Sequence, residues 1–340
     1  MTPRPIEIIG GGLAGLALGC ALRREHIPVT LHEAGDYPRH RVCGEFIAGL
    51  RPATIARLGL APVLVGALEH RRVAWFLRSA PPHHHTLPAP AIALSRFALD
   101  ARLAATFTAL GGDLPVRSRV TTEEPRAGRV FATGRRRQTA SPWLGLKLHA
   151  HGLPLAQGLE MHLGENCYVG LARIEDDGVN ICGLFRRGLA AGTGAALLVN
   201  CLRAAGLAAL ADRIAEARID PASVCAVAGV AFDRRSPPTT RLCLGDTLAM
   251  IPPFTGNGMA MAFQSAELAL DPLLAYARGA IAWPDAVRTA QRAQREKFRV
   301  RLASAGMLHP FLLGRRRQRW LAALGRARLL PIRPLFAALH

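Results

Sequence analysis

The sequence predicts an α/β fold: a Rossmann-like nucleotide domain interleaved with an antiparallel β-sheet domain, then a helical C-terminus. Three observations predict it. An apolar stretch, residues 6–9, runs into Gly10-Gly-Gly-Leu-Ala-Gly15, and a second apolar stretch ends at Glu33. Short apolar segments separated by turn residues fill positions 144–185. Long stretches of helical spacing follow Asn257.

Residues 6–9 read as a strand, 13–25 as a helix with small residues on one side, and 28–32 as a second strand. This is a β-α-β unit of the length that dinucleotide binding needs. A helix is expected over 51–58, strands over 71–77 and 91–94, and a helix from an N-cap at Ser95 to residue 109. Residues 130–133 make a further strand. The β-rich middle is expected to hold strands at 144–149, 159–163, 167–172 and 179–184, with turns at 163–166 and 176–178. Alanine-rich helices follow to about residue 218, and 240–244 returns to the nucleotide domain as a strand. Residues 257–278 and 284–304 read as long helices. The nucleotide domain thus comprises 1–70, 91–134 and 240–280, the β-rich domain 71–90 and 135–239, and the helical region 281–340.

The chain has 340 residues, half of them hydrophobic, which is the composition of a globular protein. Its net charge of +19 comes almost wholly from arginines spread along the chain; Lys147 and Lys297 are the only lysines. No basic stretch interleaved with aromatics is present, so nucleic acid is not the expected partner. An anionic substrate or an acidic membrane surface fits the charge better. Seven cysteines without a CxxC pair argue against a disulfide framework or structural zinc, and for a reducing, cytoplasmic setting. The apolar run 8–22 is broken by glycines and lacks a basic leader, so it reads as strand, turn and helix rather than as a signal peptide.

Gly10, Gly12 and Gly15 form G-x-G-x-x-G. The first permits the turn out of the strand, the second lets backbone approach a pyrophosphate, and the third lets the helix pack against the sheet. The helix N-terminus, at Leu13 and Ala14, supplies free N–H groups and partial positive charge for phosphate oxygens. Glu33, followed by Ala34, ends the second strand where a carboxylate accepts ribose hydroxyls; it argues against a 2′-phosphate on this nucleotide. Far downstream, Gly245-Asp246 ends another strand. A carboxylate there can hold the hydroxyls of a ribityl chain, which FAD has and NAD lacks. The turn Pro252-Pro-Phe-Thr-Gly-Asn-Gly258 opens a long helix, and its N–H groups can face a flavin pyrimidine edge. Together the two elements point to FAD.

With these residues in view, the chain resembles the FAD-dependent oxidoreductases of the aromatic hydroxylase (p-hydroxybenzoate hydroxylase) superfamily, and within it the geranylgeranyl reductase-like branch. The resemblance rests on residues 10–15 with Glu33, on Arg41-Val-Cys-Gly-Glu45, on residues 94–103, and on Gly245-Asp246 with residues 252–259. It covers the chain to about residue 274. It implies that Gly10, Gly12, Gly15 and Glu33 bind the ADP half of FAD, that Arg41 and Arg96 lie on phosphate or ribityl oxygens, and that Asp246 holds the ribityl chain. Pro253, Gly256, Asn257, Gly258 and Met259 would line the isoalloxazine, and Cys43 would approach it from the substrate side or be a small buried hydrophobe. Many members carry Asp-Gly where this chain has Thr133-Gly134 followed by three arginines.

No second G-x-G-x-x-G occurs, so no separate NAD(P)H domain is expected; NAD(P)H is expected as a transient reductant, or else electrons come from another protein. Lys147 and His149 are two apart and share a strand face. Either positions or protonates a substrate oxygen, or they are a solvated strand charge and a structurally bonded histidine. His83-His-His85 reads as a solvated loop, and no metal motif appears. The substrate is expected to be an apolar small molecule, aromatic, polyketide or prenyl, either hydroxylated or reduced at a double bond. A basic binding protein without catalysis and an NAD-dependent dehydrogenase are the alternatives. The basic amphipathic tail, 315–340, reads as a surface helix or a peripheral membrane contact.

Overall fold

A computed structural model describes residues 2–77, 81–121, 124–135, 138–232, 238–326 and 332–339. In chain order the elements are β1 (Ile6–Ile9), α1 (Leu13–Arg24), β2 (Val29–His32), β3 (Phe46–Ile47), α2 (Pro52–Leu58), β4 (Leu68–Leu77), β5 (His83–Ala93) and α3 (Arg96–Ala109). There follow β6 (Arg129–Phe131), β7 (Trp143–His151), β8 (Leu159–Gly164), β9 (Cys167–Arg173), β10 (Gly178–Arg186), α4 (Gly194–Ala204), α5 (Ala208–Glu216) and β11 (Arg218–Val230). The last are β12 (Leu242–Cys243), α6 (Gly258–Ala277), α7 (Trp283–Leu313), α8 (Arg315–Arg326) and α9 (Ile332–Leu339).

Among the described residues the strands form two sheets. The smaller has the order β12-β6-β1-β2 and is parallel throughout its pairings. Its strands are short and apolar because helices cover them, as a buried parallel sheet requires. α1 is buried along nearly its whole length, from Leu13 to Leu22, and packs against α3 and α6. Its alanines and glycines permit this close approach; Gly19 seats against the Phe107 ring of α3. Ser95 caps α3, accepting from the Ala98 N–H at 3.1 Å.

The larger sheet has the order β11-β7-β10-β9-β8-β4-β5-β3. The expected antiparallel pattern holds except between β4 and β8, which run parallel. Their connection passes through α3 and through β6 of the smaller sheet, and this is how the two sheets interleave. Two further differences from the sequence reading have physical causes. The histidines 83–85 lie in β5, not in a solvated loop, because they pair across to β4 at Trp75, Ala74 and Val73. β11 has little alternation, carries Pro221 and bulges between Asp220 and Cys225, so it did not read as a strand; its pairing with β7 makes it one. The basic tail is helical at α8 and α9, while residues 327–331 and His340 lie outside the described residues. Among the described residues no helix is long and apolar enough to cross a membrane.

α7 continues past residue 304, bringing His309 against the rings of Phe232, Phe254, Tyr168 and Trp143. Burial in this aromatic setting pulls the His309 imidazole from its ordinary 6.5 down to about 4. Between those values the unfolded chain binds the proton and the folded chain does not. Stability is therefore full above about pH 6.5 and falls as pH drops toward 4. His309→Phe should flatten part of this acid slope in urea denaturation series at pH 7.5 and pH 5; an unchanged slope would show that His309 does not carry it.

Candidate active site

The site begins at two helix N-termini. Neither Gly12, which caps α1, nor Asn257, which caps α6, makes a side-chain capping bond. The first N–H groups of both helices are thus left for another acceptor. Both ends open onto one cavity of about 730 Å³, which Gly10, Gly12, Leu13 and Ala14 line on one side and Gly256, Gly258 and Met259 on the other. Glu33, Ala34, Arg41, Cys43, Arg96, Gly245, Asp246 and Pro253 complete its wall among the expected residues. Gly15 lies beneath it, where a Cβ would overlap the Gly10 carbonyl oxygen. Asn257 is fully buried, with its Oδ1 lacking a hydrogen-bond partner. Gly256 sits at φ +66°, and a Cβ there would enter the Phe46 ring.

Charge in the cavity is organised by Asp100, which is fully buried on α3. It accepts from Arg41 Nε at 2.8 Å and from Arg96 Nε and Nη2 at 2.7 and 2.8 Å. One carboxylate thus braces two cavity-lining guanidinium groups. Burial lowers Arg41, whereas Asp100 offsets the burial of Arg96 and keeps it firmly protonated. Glu33 accepts from the Gly11 and Gly35 N–H groups at 2.8 and 2.9 Å and from Arg39 at 2.7 Å, so it also ties the end of β2 to the glycine turn. Asp246 is exposed to the cavity, and the protein around it raises its carboxyl against the pull of Arg96 and Arg135. Burial likewise pushes the Cys43 thiol up, opposed by Arg96, so it favours the neutral thiol. The Thr133-Gly134 turn bonds to Thr247, with the Gly134 N–H donating to its Oγ1 at 2.8 Å. Of the three arginines that follow, Arg136 and Arg137 lie outside the described residues.

Lys147 and His149 do not line this cavity. They are buried behind it and share a partner, Glu45, to which no sequence motif gives a role. His149 Nε2 lies 2.6 Å from Glu45 Oε2, and Lys147 Nζ lies 3.5 Å from Oε1. Lys147 is therefore not a solvated charge. Glu45 follows Gly44 at φ +56°, which turns its carboxylate inward, and its Oε1 also accepts from the Arg96 N–H at 3.1 Å. Lys147 Nζ donates to His40 Nδ1 at 3.0 Å. An ammonium only donates, so His40 keeps its ring proton on Nε2, toward Asp220 at 4.0 Å. His40 does line the cavity. Burial, then Lys147 and His149, lower its pKa. His40 carried no motif in the sequence; only the fold brings it to β7.

A second cavity of about 260 Å³ adjoins the first at Phe46, which lines both. Phe254 and Thr255 border it, immediately before Gly256. Its wall is largely apolar, built by Val73, Trp75 and Leu77 of β4, Met161 and Leu163 of β8, and Leu308, Phe311 and Leu312 of α7. His83, His85 and Glu160 supply polar groups. Among the described residues no cluster of metal-ligating side chains occurs.

Two interleaved sheets, with two helix N-termini on one cavity and an apolar chamber beside it, make a fold that the chain shares with solved flavin-dependent enzymes. Solved structures carry this statement. Pseudomonas aeruginosa PqsL with 2-aminobenzoylacetate matches over 93% of this chain and 98% of its own, at 17% identity and a TM-score of 0.73. Another PqsL structure is described as "a probable FAD-dependent monooxygenase". The flavin-dependent brominase Bmp2 matches over 100% and 93%, at 16% identity and 0.73. A mutant 2-methyl-3-hydroxypyridine-5-carboxylic acid oxygenase matches over 91% and 92%, at 17% identity and 0.70. The geranylgeranyl reductase branch finds no support among them. No family model and no curated protein matches the chain by sequence.

FAD fits the residues present. The α1 N-terminus would hold its pyrophosphate, the α6 N-terminus would face its pyrimidine edge, and the cavity between them carries braced arginines. A Cβ on Gly12 meets nothing within 4 Å of protein. Gly12→Ala should therefore leave the melting temperature of flavin-free protein unchanged but weaken FAD binding more than about tenfold, by displacing the phosphate from the helix. An FAD titration equal to wild type would remove the pyrophosphate from this place.

Proposed function

We propose that this chain is an FAD-dependent monooxygenase that adds one oxygen atom to a neutral, apolar aromatic compound. The observation that carries the reading is the apolar chamber opening beside the flavin end of the dinucleotide cavity, with Phe46 between them. A dry cavity of about 150 Å³ holds benzene. A chamber of about 260 Å³ suits a compound of roughly two fused rings. His85 is the polar group suited to orienting a ring substituent there; burial and the neighbouring histidines lower its pKa and favour the neutral imidazole. Solved neighbours described as an FAD-dependent monooxygenase, a flavin-dependent brominase and an oxygenase support flavin chemistry of this kind.

Bound FAD would supply oxygen activation after reduction, with NAD(P)H as transient donor. The chain's residues do the rest. The helix ends and braced arginines bind and orient the cofactor, and the α6 N-terminus favours negative charge on the ring. The chamber excludes water from the reacting face. His40 holds a proton on Nε2 at the cavity wall, and Lys147, Glu45 and His149 behind it act as positioning residues that fix its tautomer.

The test is product mass. Purified protein with FAD, NADPH and labelled dioxygen should convert an indole, quinoline or naphthol probe to a product carrying one labelled oxygen. Gain of two hydrogens would favour reduction instead, and gain of a halogen in halide buffer would favour halogenation; either overturns the reading. Lys147→Met should remove the repulsion that lowers the His40 pKa and raise it toward its ordinary value. The acid limb of the pH–rate profile then moves to higher pH with FAD content retained. An unmoved limb would deny His40 a proton-holding role.

A further inference from the structure

We propose that α7 and α8 form a docking platform for an anionic lipid surface, placed at the mouth of the apolar chamber. Downstream of Glu296 the sequence carries lysine and arginine but no aspartate or glutamate. Met307 on α7 is 71% exposed and Trp320 on α8 is 69% exposed. Val300 and Phe311 extend the first stripe along α7 at seven and four residues from Met307, and Leu324 lies one turn beyond Trp320. Arg316, Arg317 and Arg319 are exposed on α8, within four residues of Trp320 in the chain. Arg317 lies over the Phe311 ring at 5.5 Å, and Arg315 pairs with Glu165 at 3.4 Å. Arg316 and Arg319 have no acidic partner among the described residues.

Large apolar side chains this exposed mark a contact surface. The charge around them selects the partner. A bilayer interface takes the guanidinium groups at its phosphates and the indole and thioether at the acyl boundary. Nucleic acid phosphates would satisfy the arginines but leave Met307 and Trp320 in water. A second copy would cover the apolar stripe but set one net-basic surface, in which Glu165 pairs with Arg315, against another. Phe311 joins the platform to the chamber, being partly exposed and also lining the cavity. An apolar compound dissolved in lipid would thus meet the chamber mouth without crossing water.

The full chain with FAD is tested by flotation with phosphatidylcholine vesicles that do or do not contain about 30 mol% phosphatidylserine. The expected result is binding to the anionic vesicles only, weakened by salt, with tryptophan fluorescence quenched by brominated acyl chains. Arg316→Gln with Arg319→Gln should lower partitioning more than about tenfold. Trp320→Ser should abolish the quenching, and both variants should keep wild-type FAD content. If Trp320→Ser loses FAD, Met307→Ser provides the same test from α7, through reduced partitioning. Absence of vesicle binding, binding unaffected by these substitutions, or tighter binding to duplex DNA than to anionic vesicles would each overturn the proposal. The assay reads binding and not turnover, so its outcome is independent of the oxygenation reading.

Discussion

The structure depends on the packing of α1 against α6, which points two uncapped helix N-termini at one cavity. Each end presents unsatisfied N–H groups and the positive end of a helix dipole. Placing both on one space costs stability unless an elongated group with acceptors at both ends fills it. The surrounding arginines raise the same demand. Asp100 offsets their mutual repulsion, since one buried carboxylate accepts from both Arg41 and Arg96.

Behind the cavity wall, burial of Lys147 and His149 is tolerable because Glu45 reaches both. A buried ion pair adds little net stability, but removal of one partner leaves an uncompensated charge. Its use here is directional. Lys147 fixes which nitrogen of His40 carries the proton, and His40 faces the cavity. The left-handed backbone at Glu45 is the local cost of turning that carboxylate inward.

The apolar chamber has a different logic. It is walled by strands of the large sheet and closed by α7, α8 and α9, with Leu321 and Leu339 contributing from the last two. The C-terminal helices therefore shape the ligand space as well as covering the core. The same helices carry the exposed Met307 and Trp320, so what contacts that surface bears directly on the chamber mouth.

Much of the lining of the larger cavity was legible in the sequence. G-x-G-x-x-G, Glu33, Gly245-Asp246 and the turn before α6 are local devices, where a glycine or a carboxylate is needed at a fixed offset from a strand or helix end. The β-α-β unit and most strands of the large sheet were legible for the same reason, through apolar period and turn residues. Tertiary structure decided what depends on distant pairing. It set the parallel β4–β8 contact, made a strand of the irregular β11, and moved His83 and His85 from an expected loop to a chamber wall. The spacing of Lys147 and His149 placed them on one face, but that this face meets Glu45 and His40, more than a hundred residues earlier, follows only from the packing of the loop before β3 onto β7. Hydrophobic period encodes which face is buried, and the chain must fold before that face has a partner.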